Sequence, residues 1–147
     1  EMRIVYAQRN RLPPEIEQNY HATYFSLDEL LATSDCVSVH LPRANETRNF
    51  IGARELAIIK PGALLINVSQ PHQVDRHALR EALASGRLGG FGLDTFYDEP
   101  GDADDPLLKF RNVIISPHLG GSPRFNSLDD IEELIVNLGR SLAGSDR

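Results

Sequence analysis

The 147-residue sequence has a single cysteine, no long hydrophobic run and no basic stripe, and each shortage excludes a class of protein. A single cysteine, Cys36, rules out an intrachain disulfide framework, and its place in an apolar, strand-like run predicts a buried thiol. The longest apolar runs, such as Ala63–Ile66, are too short to span a bilayer, so we expect no membrane association. Basic residues number 15 against 21 acidic ones and form no basic stripe, so we expect no nucleic-acid partner.

The remaining composition is that of an ordinary globular domain, with 41% hydrophobic and 24% charged residues. A domain of this length buries roughly two-thirds of the surface that its unfolded chain exposes, so it needs no disulfide or metal to fold. The first residues run into a strand-like segment rather than a signal sequence, and one cysteine suits a reducing compartment. We therefore expect a cytoplasmic protein.

Short β-branched runs alternate with helical patterns along the chain. Each run is apolar on both faces, which is typical of strands that helices cover on both sides. The predicted strands are Arg3–Ala7, Cys36–His40, Ala63–Val68, Gly90–Leu93 and Asn112–Ser116. Strand–helix–strand repetition at this spacing predicts an α/β fold with a doubly wound, mostly parallel sheet.

Capping residues mark where the helices begin. Ser26 with Glu29 three residues later forms a capping box, and Gly86 is a suitable residue for a helix C-terminus. The predicted helices run from the Ser26 N-cap to about Thr33, from an Asp75 N-cap to Gly86, and from Ser127 to Ala143. The segment Tyr97–Pro106, rich in Asp, Gly and Pro, is predicted to be a long loop, and long loops in compact domains are often functional.

Polar or Gly/Pro-rich residues follow every predicted strand. In open α/β sheets, ligands bind at the carboxyl ends of the strands, so these residues form the expected rim of a site. The segments are Gln8–Asn10, His40–Pro42, Asn67–Pro71, Asp94–Phe96 and Ser116–Gly121.

His118 is the best candidate for acid/base chemistry, because the imidazole pKa lies near physiological pH and Gly120 allows close backbone approach. The alternative is a surface or capping histidine. Glu99 could stabilise a charged imidazole nearby or be a solvated loop acid, and Asp94 could cap a helix or accept from a ligand amide. His72 and His77 have no further ligand at metal spacing, so we expect no metal.

Four blocks of sequence, taken together, resemble the D-isomer-specific 2-hydroxyacid dehydrogenases, with glyoxylate or hydroxypyruvate reductase-like members nearest. The order and spacing of the blocks match along nearly the whole chain. The blocks are Val39–Pro42 with Thr47, Lys60–Asn67 with Val74 and Asp75, Gly92–Phe96 with Glu99 and Pro100, and Ser116–Gly120.

The resemblance implies a Rossmann-type domain in which hydride passes between NAD(P)H and a small 2-oxo acid. His118 would be the general acid/base, Glu99 its acidic partner, and Asp94 the acceptor for the nicotinamide carboxamide. The residues that the resemblance places at the cofactor are Gln8, Arg9, His40, Leu41, Pro42, Thr47, Asn67, Val68, Ser69, Asp94, His118 and Gly120. A homodimer is a further implication of the resemblance.

Three departures from the family pattern change what we expect of the chain. Gln70 stands where the family has its catalytic arginine, and Pro71 where it has glycine. Losing a charged, desolvated contact of this kind costs on the order of 2–5 kcal/mol. The first strand–turn–helix, which should carry G-x-G-x-x-G, and the substrate domain are also absent, so residues 1–147 would form a partial NAD(P)-binding domain.

Two interpretations stay open. In the first, the chain is part of an enzyme and is inactive alone; in the second, it is a non-catalytic binding or interaction module that kept the fold. For the cofactor, we favour NADP over NAD, because Gln8 stands where an acidic residue normally holds the ribose, with Arg9 and Arg11 beside it. The absence of the first strand also predicts a sheet that lacks the strand joining Arg3–Ala7 to the rest.

Overall fold

The computed structural model describes residues 2–98, 101–116, 118 and 120. The chain divides into two compact units, residues 1–117 and 118–147. All the helices and strands described below belong to the first unit. The helix predicted over Ser127–Ala143 lies outside the described residues.

Six short strands and four short helices alternate along the described residues of the first unit. The strands are β1 (Ile4–Tyr6), β2 (Ala22–Tyr24), β3 (Cys36–Val39), β4 (Leu64–Asn67), β5 (Gly90–Leu93) and β6 (Val113–Ile115). The helices are α1 (Pro14–Tyr20), α2 (Leu27–Thr33), α3 (Ala53–Ile58) and α4 (Arg76–Ala84). Short 3-10 helices occupy Asn45–Thr47, Pro71–Gln73 and Pro106–Lys109. The alternation confirms the predicted α/β class.

The strands form two parallel sheets, not one. β1 pairs with β2, and β3 to β6 follow one another in a four-stranded sheet in chain order. Among the described residues no strand joins β1 to β3, which confirms the prediction of an incomplete sheet. All the pairings are parallel, as expected where helices connect successive strands.

Capping residues in the sequence predicted the start of two helices correctly. The Ser26 hydroxyl accepts from the backbone N–H of Glu29, whose carboxylate accepts from Ser26 N–H in return, so the predicted capping box is present. Asp75 caps α4 by accepting from Ala78 N–H at 2.8 Å. Gly86 follows α4 with φ 72°, a left-handed conformation that glycine adopts at little cost.

Helix α1, strand β2 and helix α3 were not predicted. None of the α1 side chains is buried, and α3 buries Leu56 alone, so neither helix has the apolar stripe that marks an amphipathic helix in sequence. Local contacts begin both helices instead. Pro14 occupies the first turn of α1, and the Glu55 carboxylate accepts from Gly52 N–H at 3.1 Å at the start of α3.

The core lies on one face of the four-stranded sheet. Helices α2 to α4 supply Leu31, Leu56, Leu79 and Leu83, which pack against Val37, Val39, Leu65, Phe91 and Leu93 of the strands. Full burial of one such leucine stabilises the fold by about 1.5–3 kcal/mol relative to exposure.

The prediction of strands covered on both faces is wrong for the described residues. On the opposite face of the sheet, Leu64 is 46% exposed and Ile114 is 75% exposed. Cys36 lies on this face and is exposed, so the prediction of a buried thiol is wrong as well. The alternation is clearest in β3, where exposed and buried residues follow one another along the strand.

Ionic contacts fix the segment between β1 and α1. Arg11 donates two hydrogen bonds of 2.8 Å to the Glu17 carboxylate, and the Tyr6 hydroxyl donates a third at 2.6 Å. The Arg11 guanidinium and then the Tyr6 hydroxyl lower the pKa of Glu17 from 4.5 to about 2.

We predict that Glu17→Gln destabilises the protein only where Glu17 is ionised. Because the folded-state pKa is lowered, the stabilisation is complete above about pH 4.5 and is lost as the pH falls towards 2. Urea unfolding of the wild type and the variant should therefore differ at pH 6 and converge near pH 2. Glu15→Gln, in the same helix, is the control. A wild-type–variant difference that stays constant with pH would contradict the assignment.

Candidate functional site

The carboxyl ends of four strands meet at one edge of the larger sheet. Val39 pairs with Asn67, Asn67 with Leu93, and Leu93 with Ile115. The residues that come next along each strand therefore share this edge, which we call the carboxyl edge. They are His40, Val68, Asp94 and Ser116. The structure thus brings to one edge the segments after β3, β4 and β5 and the first residue, Ser116, of the segment after β6.

Asn67 closes the turn that follows β4. Its side chain is fully buried; its amide nitrogen donates to Gln70 O at 2.8 Å, and its amide oxygen accepts from Ser69 N–H at 3.0 Å. The Ser69 hydroxyl donates to Val39 O at 2.8 Å and so ties this turn to the end of β3. Both side chains thus shape the turn from within, and Val68, between them, is 50% exposed at the edge.

Gln70 is held through its backbone. Its carbonyl accepts from Asn67, and its N–H donates to the Gln73 side-chain oxygen at 3.3 Å. Pro71, which follows, is buried and begins a 3-10 helix, so it has no N–H to offer a ligand. The Gln70 side-chain amide has no hydrogen bond to any described residue and is the free polar group of this turn.

Gln73 is a site residue that the sequence analysis missed. Its side chain is 2% exposed, and its amide nitrogen donates to Leu41 O at 2.9 Å and Pro42 O at 3.0 Å. One feature of the sequence could have indicated it: a glutamine stands directly before the buried Val74, in a segment otherwise typical of a polar loop. The Thr47 hydroxyl lies within 2.9 Å of Pro42 O and of Ala44 O, so it too is engaged inside the loop after β3.

Two hydrogen bonds join polar side chains along the carboxyl edge. The Ser116 hydroxyl donates to an Asp94 carboxylate oxygen at 2.5 Å, which links the ends of β5 and β6. Asp94 is half-buried there, so one carboxylate is fixed at the edge. His40, after β3, is exposed, and its Nε2 lies 2.8 Å from the Ser38 hydroxyl.

Arg76 contacts two acidic residues, Asp98 and Asp105, of the segment predicted as a long loop. The guanidinium lies 3.1 Å from the Asp98 carboxylate and 2.9 Å from that of the buried Asp105. It also lies over the Tyr97 ring, at 5.3 Å from the centroid. Burial raises the pKa of Tyr97, whose hydroxyl donates to Val74 O at 3.0 Å.

The two residues predicted to carry acid/base chemistry are described only in part. Glu99 lies outside the described residues. His118 belongs to the second unit, where it is exposed and has φ 57°, a left-handed conformation uncommon for a residue with a side chain. Gly120, also in the second unit, is exposed.

The segment after β1 carries the residues predicted to meet the ribose. The Gln8 side chain donates to Asn10 O at 2.6 Å, and Arg11 is committed to Glu17. Arg9 is exposed and makes no ion pair with a described residue. Of the two arginines, Arg9 is therefore the one available to an anionic ligand.

The described part of the chain has no cluster of metal ligands and no helix that could span a membrane. No group of three His, Cys, Asp or Glu side chains there could hold a metal ion. The longest helix in that part has nine residues, and none is long and apolar enough to cross a bilayer.

Residues 1–120 match the family model described as the NAD binding domain of D-isomer specific 2-hydroxyacid dehydrogenases. This match covers far more than half of the chain. The chain belongs to the D-isomer specific 2-hydroxyacid dehydrogenase family. The resemblance inferred from the four sequence blocks, and the Rossmann-like fold that it implied, are confirmed.

Relatives of this 2-hydroxyacid dehydrogenase chain include reductases of small 2-oxo acids. It is 41% identical over 143 residues to glyoxylate/hydroxypyruvate reductase B of Pectobacterium carotovorum, covering 97% of this chain and 44% of that protein. It is 42% identical over 135 residues to the glyoxylate reductase of Thermococcus litoralis, covering 92% and 40%. The chain therefore spans less than half the length of the relatives it matches.

Solved structures of the family agree with the fold. A glyoxylate reductase from Paecilomyes thermophila superposes with a TM-score of 0.77 at 38% identity, covering 95% of this chain and 42% of that one. The apo form of D-mandelate dehydrogenase from Rhodotorula graminis gives 0.78 at 33% identity, covering 83% and 35%.

We predict that Asn67→Ala lowers the free energy of unfolding by about 1–3 kcal/mol, because it removes two hydrogen bonds inside a buried turn and leaves Ser69 N–H without its partner, whereas the Gln70 carbonyl keeps the Gln73 N–H. Urea titration measures the change. Asn19→Ala, at an exposed position in α1, should change the stability by less than about 0.5 kcal/mol. Equal effects of the two substitutions would show that the turn does not depend on the Asn67 amide.

Proposed function

We propose that the protein to which this chain contributes is an oxidoreductase that transfers hydride between NAD(P)H and a small 2-oxo acid. The observation that carries the proposal is the carboxyl edge, where in-register strand ends bring Asp94 and Ser116 together in a chain of this family. Ligands of open α/β sheets bind at this edge. The names of the relatives, glyoxylate and hydroxypyruvate reductases, support a small 2-oxo acid as substrate.

The chemistry of the edge suits a dinucleotide. Asp94 supplies a carboxylate that accepts hydrogen bonds from an amide, and the half-buried Leu41 with Pro42 supplies apolar surface for a purine. A bound NAD(P)H supplies the hydride. In this proposal Asp94 orients the carboxamide end of the cofactor, and His40, Leu41 and Pro42 lie on its adenosine side.

The proton transfer is assigned to the histidine. His118 gives a proton to the carbonyl oxygen of the substrate as hydride reaches the carbonyl carbon, and the product is a 2-hydroxy acid. Glu99 keeps the imidazole protonated for reduction, because a nearby carboxylate favours the charged form. The support for both roles is the match of their sequence blocks to the family pattern.

The weak point of the catalytic proposal is Gln70. An arginine holds a carboxylate with a fixed charge and two parallel hydrogen bonds, whereas glutamine offers a neutral amide. The backbone offers little compensation, because Gln70 N–H is engaged by Gln73 and Pro71 has none. This observation favours the second candidate function, a non-catalytic binding module that retains the fold.

Cofactor preference is proposed to lean towards NADP. The residue after β1 is Gln8, not an acid, and Arg9 makes no ion pair with a described residue. Arg11, the second arginine considered for the 2′-phosphate, is held by Glu17 and contributes less to this proposal. One related structure, from Xanthobacter autotrophicus, is described as a complex with NADPH.

The proposal also covers the domain, the cellular location and the oligomeric state. Residues 1–147 are taken as part of a nucleotide-binding domain, by the family match over 1–120. A cytoplasmic location is supported by the lone, unpaired Cys36. A homodimer is proposed from membership of the family alone.

We predict that Gln70→Arg with Pro71→Gly raises kcat/KM for glyoxylate by tens-fold or more, since each 1.4 kcal/mol is a factor of ten. The test protein joins this chain to the N-terminal portion of the Thermococcus litoralis glyoxylate reductase. NADPH and NADH oxidation are followed by absorbance. His118→Gln in the same chimera should abolish turnover and leave nucleotide affinity nearly unchanged.

The same chimera separates the two candidate functions. If the double substitution gives no gain and His118→Gln no loss while nucleotide still binds, the catalytic assignment is wrong. The binding-module interpretation would then be the better one.

We predict that Arg9→Gln weakens NADPH binding several-fold and leaves NADH binding unchanged, because only NADPH carries the 2′-phosphate. Isothermal titration of the chimera measures both affinities. Arg3→Gln, near the start of β1, is the control. Tighter binding of NADH than of NADPH by the unsubstituted protein would contradict the proposed preference.

A further inference from the structure

Gln73 is a buried amide whose hydrogen bonds reach two separate segments. Its side chain is 2% exposed, and its oxygen accepts from Gln70 N–H while its nitrogen donates to Leu41 O and Pro42 O. A buried amide without partners costs free energy, and this one has three. The same site could hold an apolar side chain only if three backbone groups gave up these bonds.

The two segments that Gln73 joins both lie at the carboxyl edge. The oxygen end meets the turn after β4, at Gln70, and the nitrogen end meets the loop after β3, at Leu41 and Pro42. Because an amide group is planar and rigid, it sets the distance between the turn and the loop. A shift of one segment relative to the other breaks a hydrogen bond at one end.

Other contacts join the same parts of the chain at different points: Asn49 N–H donates to His72 O and Ile51 N–H donates to Gln73 O. The Ser69 hydroxyl joins the turn to Val39 O, which lies at the end of β3 itself. Thr47 bonds within its own loop, at Pro42 O and Ala44 O. Among the described side chains, Gln73 is the one that bonds both to Gln70 and to the loop beginning at Leu41.

The hydrogen bonds of the Gln73 amide also determine which backbone groups of the two segments remain available to a ligand. Leu41 O and Pro42 O are directed to Gln73, so the loop offers its side chains rather than these carbonyls. In the turn, Gln70 N–H is occupied and Pro71 lacks an N–H, which leaves the Gln70 side chain as the polar group.

We propose that Gln73 is a positioning residue, which holds the turn at Gln70 and the loop at Leu41–Pro42 at the spacing that a bound dinucleotide requires. The inference rests on the proposed nucleotide-binding function. Gln73 does not touch the ligand; it acts through the backbone of the two segments that do.

The test compares NADH affinity of the 147-residue chain with that of Gln73→Met, which keeps the length of the side chain and removes the amide. We expect at least a tenfold weaker affinity, measured where circular dichroism shows the variant fully folded. Gln18→Met, on the exposed surface of α1, is the matched control and should bind as the wild type does. Wild-type affinity in a folded but less stable Gln73→Met would overturn the proposal, because it would show a structural role alone.

Gln73→Glu allows a second measurement, the pH dependence of NADH affinity, which a purely structural role of Gln73 would not change. As a carboxylate it keeps the acceptor for Gln70 N–H but has no donor for Leu41 O and Pro42 O, and protonation restores one donor. Its NADH affinity relative to wild type should therefore recover as the pH is lowered from 8 to 5. A ratio that stays flat over this range would count against the assignment.

Amide NMR distinguishes failure of this inference from failure of the proposed function. Gln73→Met should speed hydrogen exchange at Gln70 N–H and shift amide signals in both segments, whether or not nucleotide is present. If the wild-type chain binds neither NADPH nor NADH, the proposed function fails for this chain, and the NMR result alone decides whether Gln73 couples the two segments. Shifts confined to one segment would refute the coupling.

Discussion

The in-register parallel pairing of β3 to β6 is the constraint on which the rest of the structure depends. It sets Val39, Asn67, Leu93 and Ile115 in one row, and it therefore brings the segments that follow these strands to one edge. The same pairing turns alternate side chains to one face, where helices α2 to α4 bury them. A slip of one residue in any strand would move its buried side chains to the open face and displace its polar residues from the edge.

Two buried amide side chains hold the backbone segments at this edge in place. Asn67 closes the turn after β4 from within, and Gln73 ties that turn to the loop after β3. Both side chains make their hydrogen bonds to backbone groups, so neither amide is offered to a ligand. Gln70, which stands where the family pattern has arginine, therefore lies in a turn that hydrogen bonds hold in place.

The sequence predicted those parts of the fold that have local causes. The capping box at Ser26, the Asp75 cap and the β-branched strands each left a pattern of their own, and the structure confirms them. Helices α1 and α3 left little pattern, because six or seven residues that bury one side chain or none show no periodic stripe. The exposure of Cys36 could not be predicted, because burial depends on what covers a face and not on the strand itself.

For the site, the rim at the strand ends could be predicted, since parallel strands necessarily end at the same edge. The bond between Ser116 and Asp94 and the role of Gln73 could not, because both join segments far apart in sequence. Family resemblance supplied roles for His118 and Glu99 that the local sequence left open.

The central claim is that a dinucleotide binds at the carboxyl edge, and an NMR titration of the isotopically labelled chain with NADPH tests it most directly. The account predicts that the amide signals which move with increasing NADPH cluster at Arg9, His40, Leu41, Val68–Gln70 and Asp94. Saturable shifts confined to the opposite ends of the strands, or no shifts at these residues at millimolar NADPH, would contradict it.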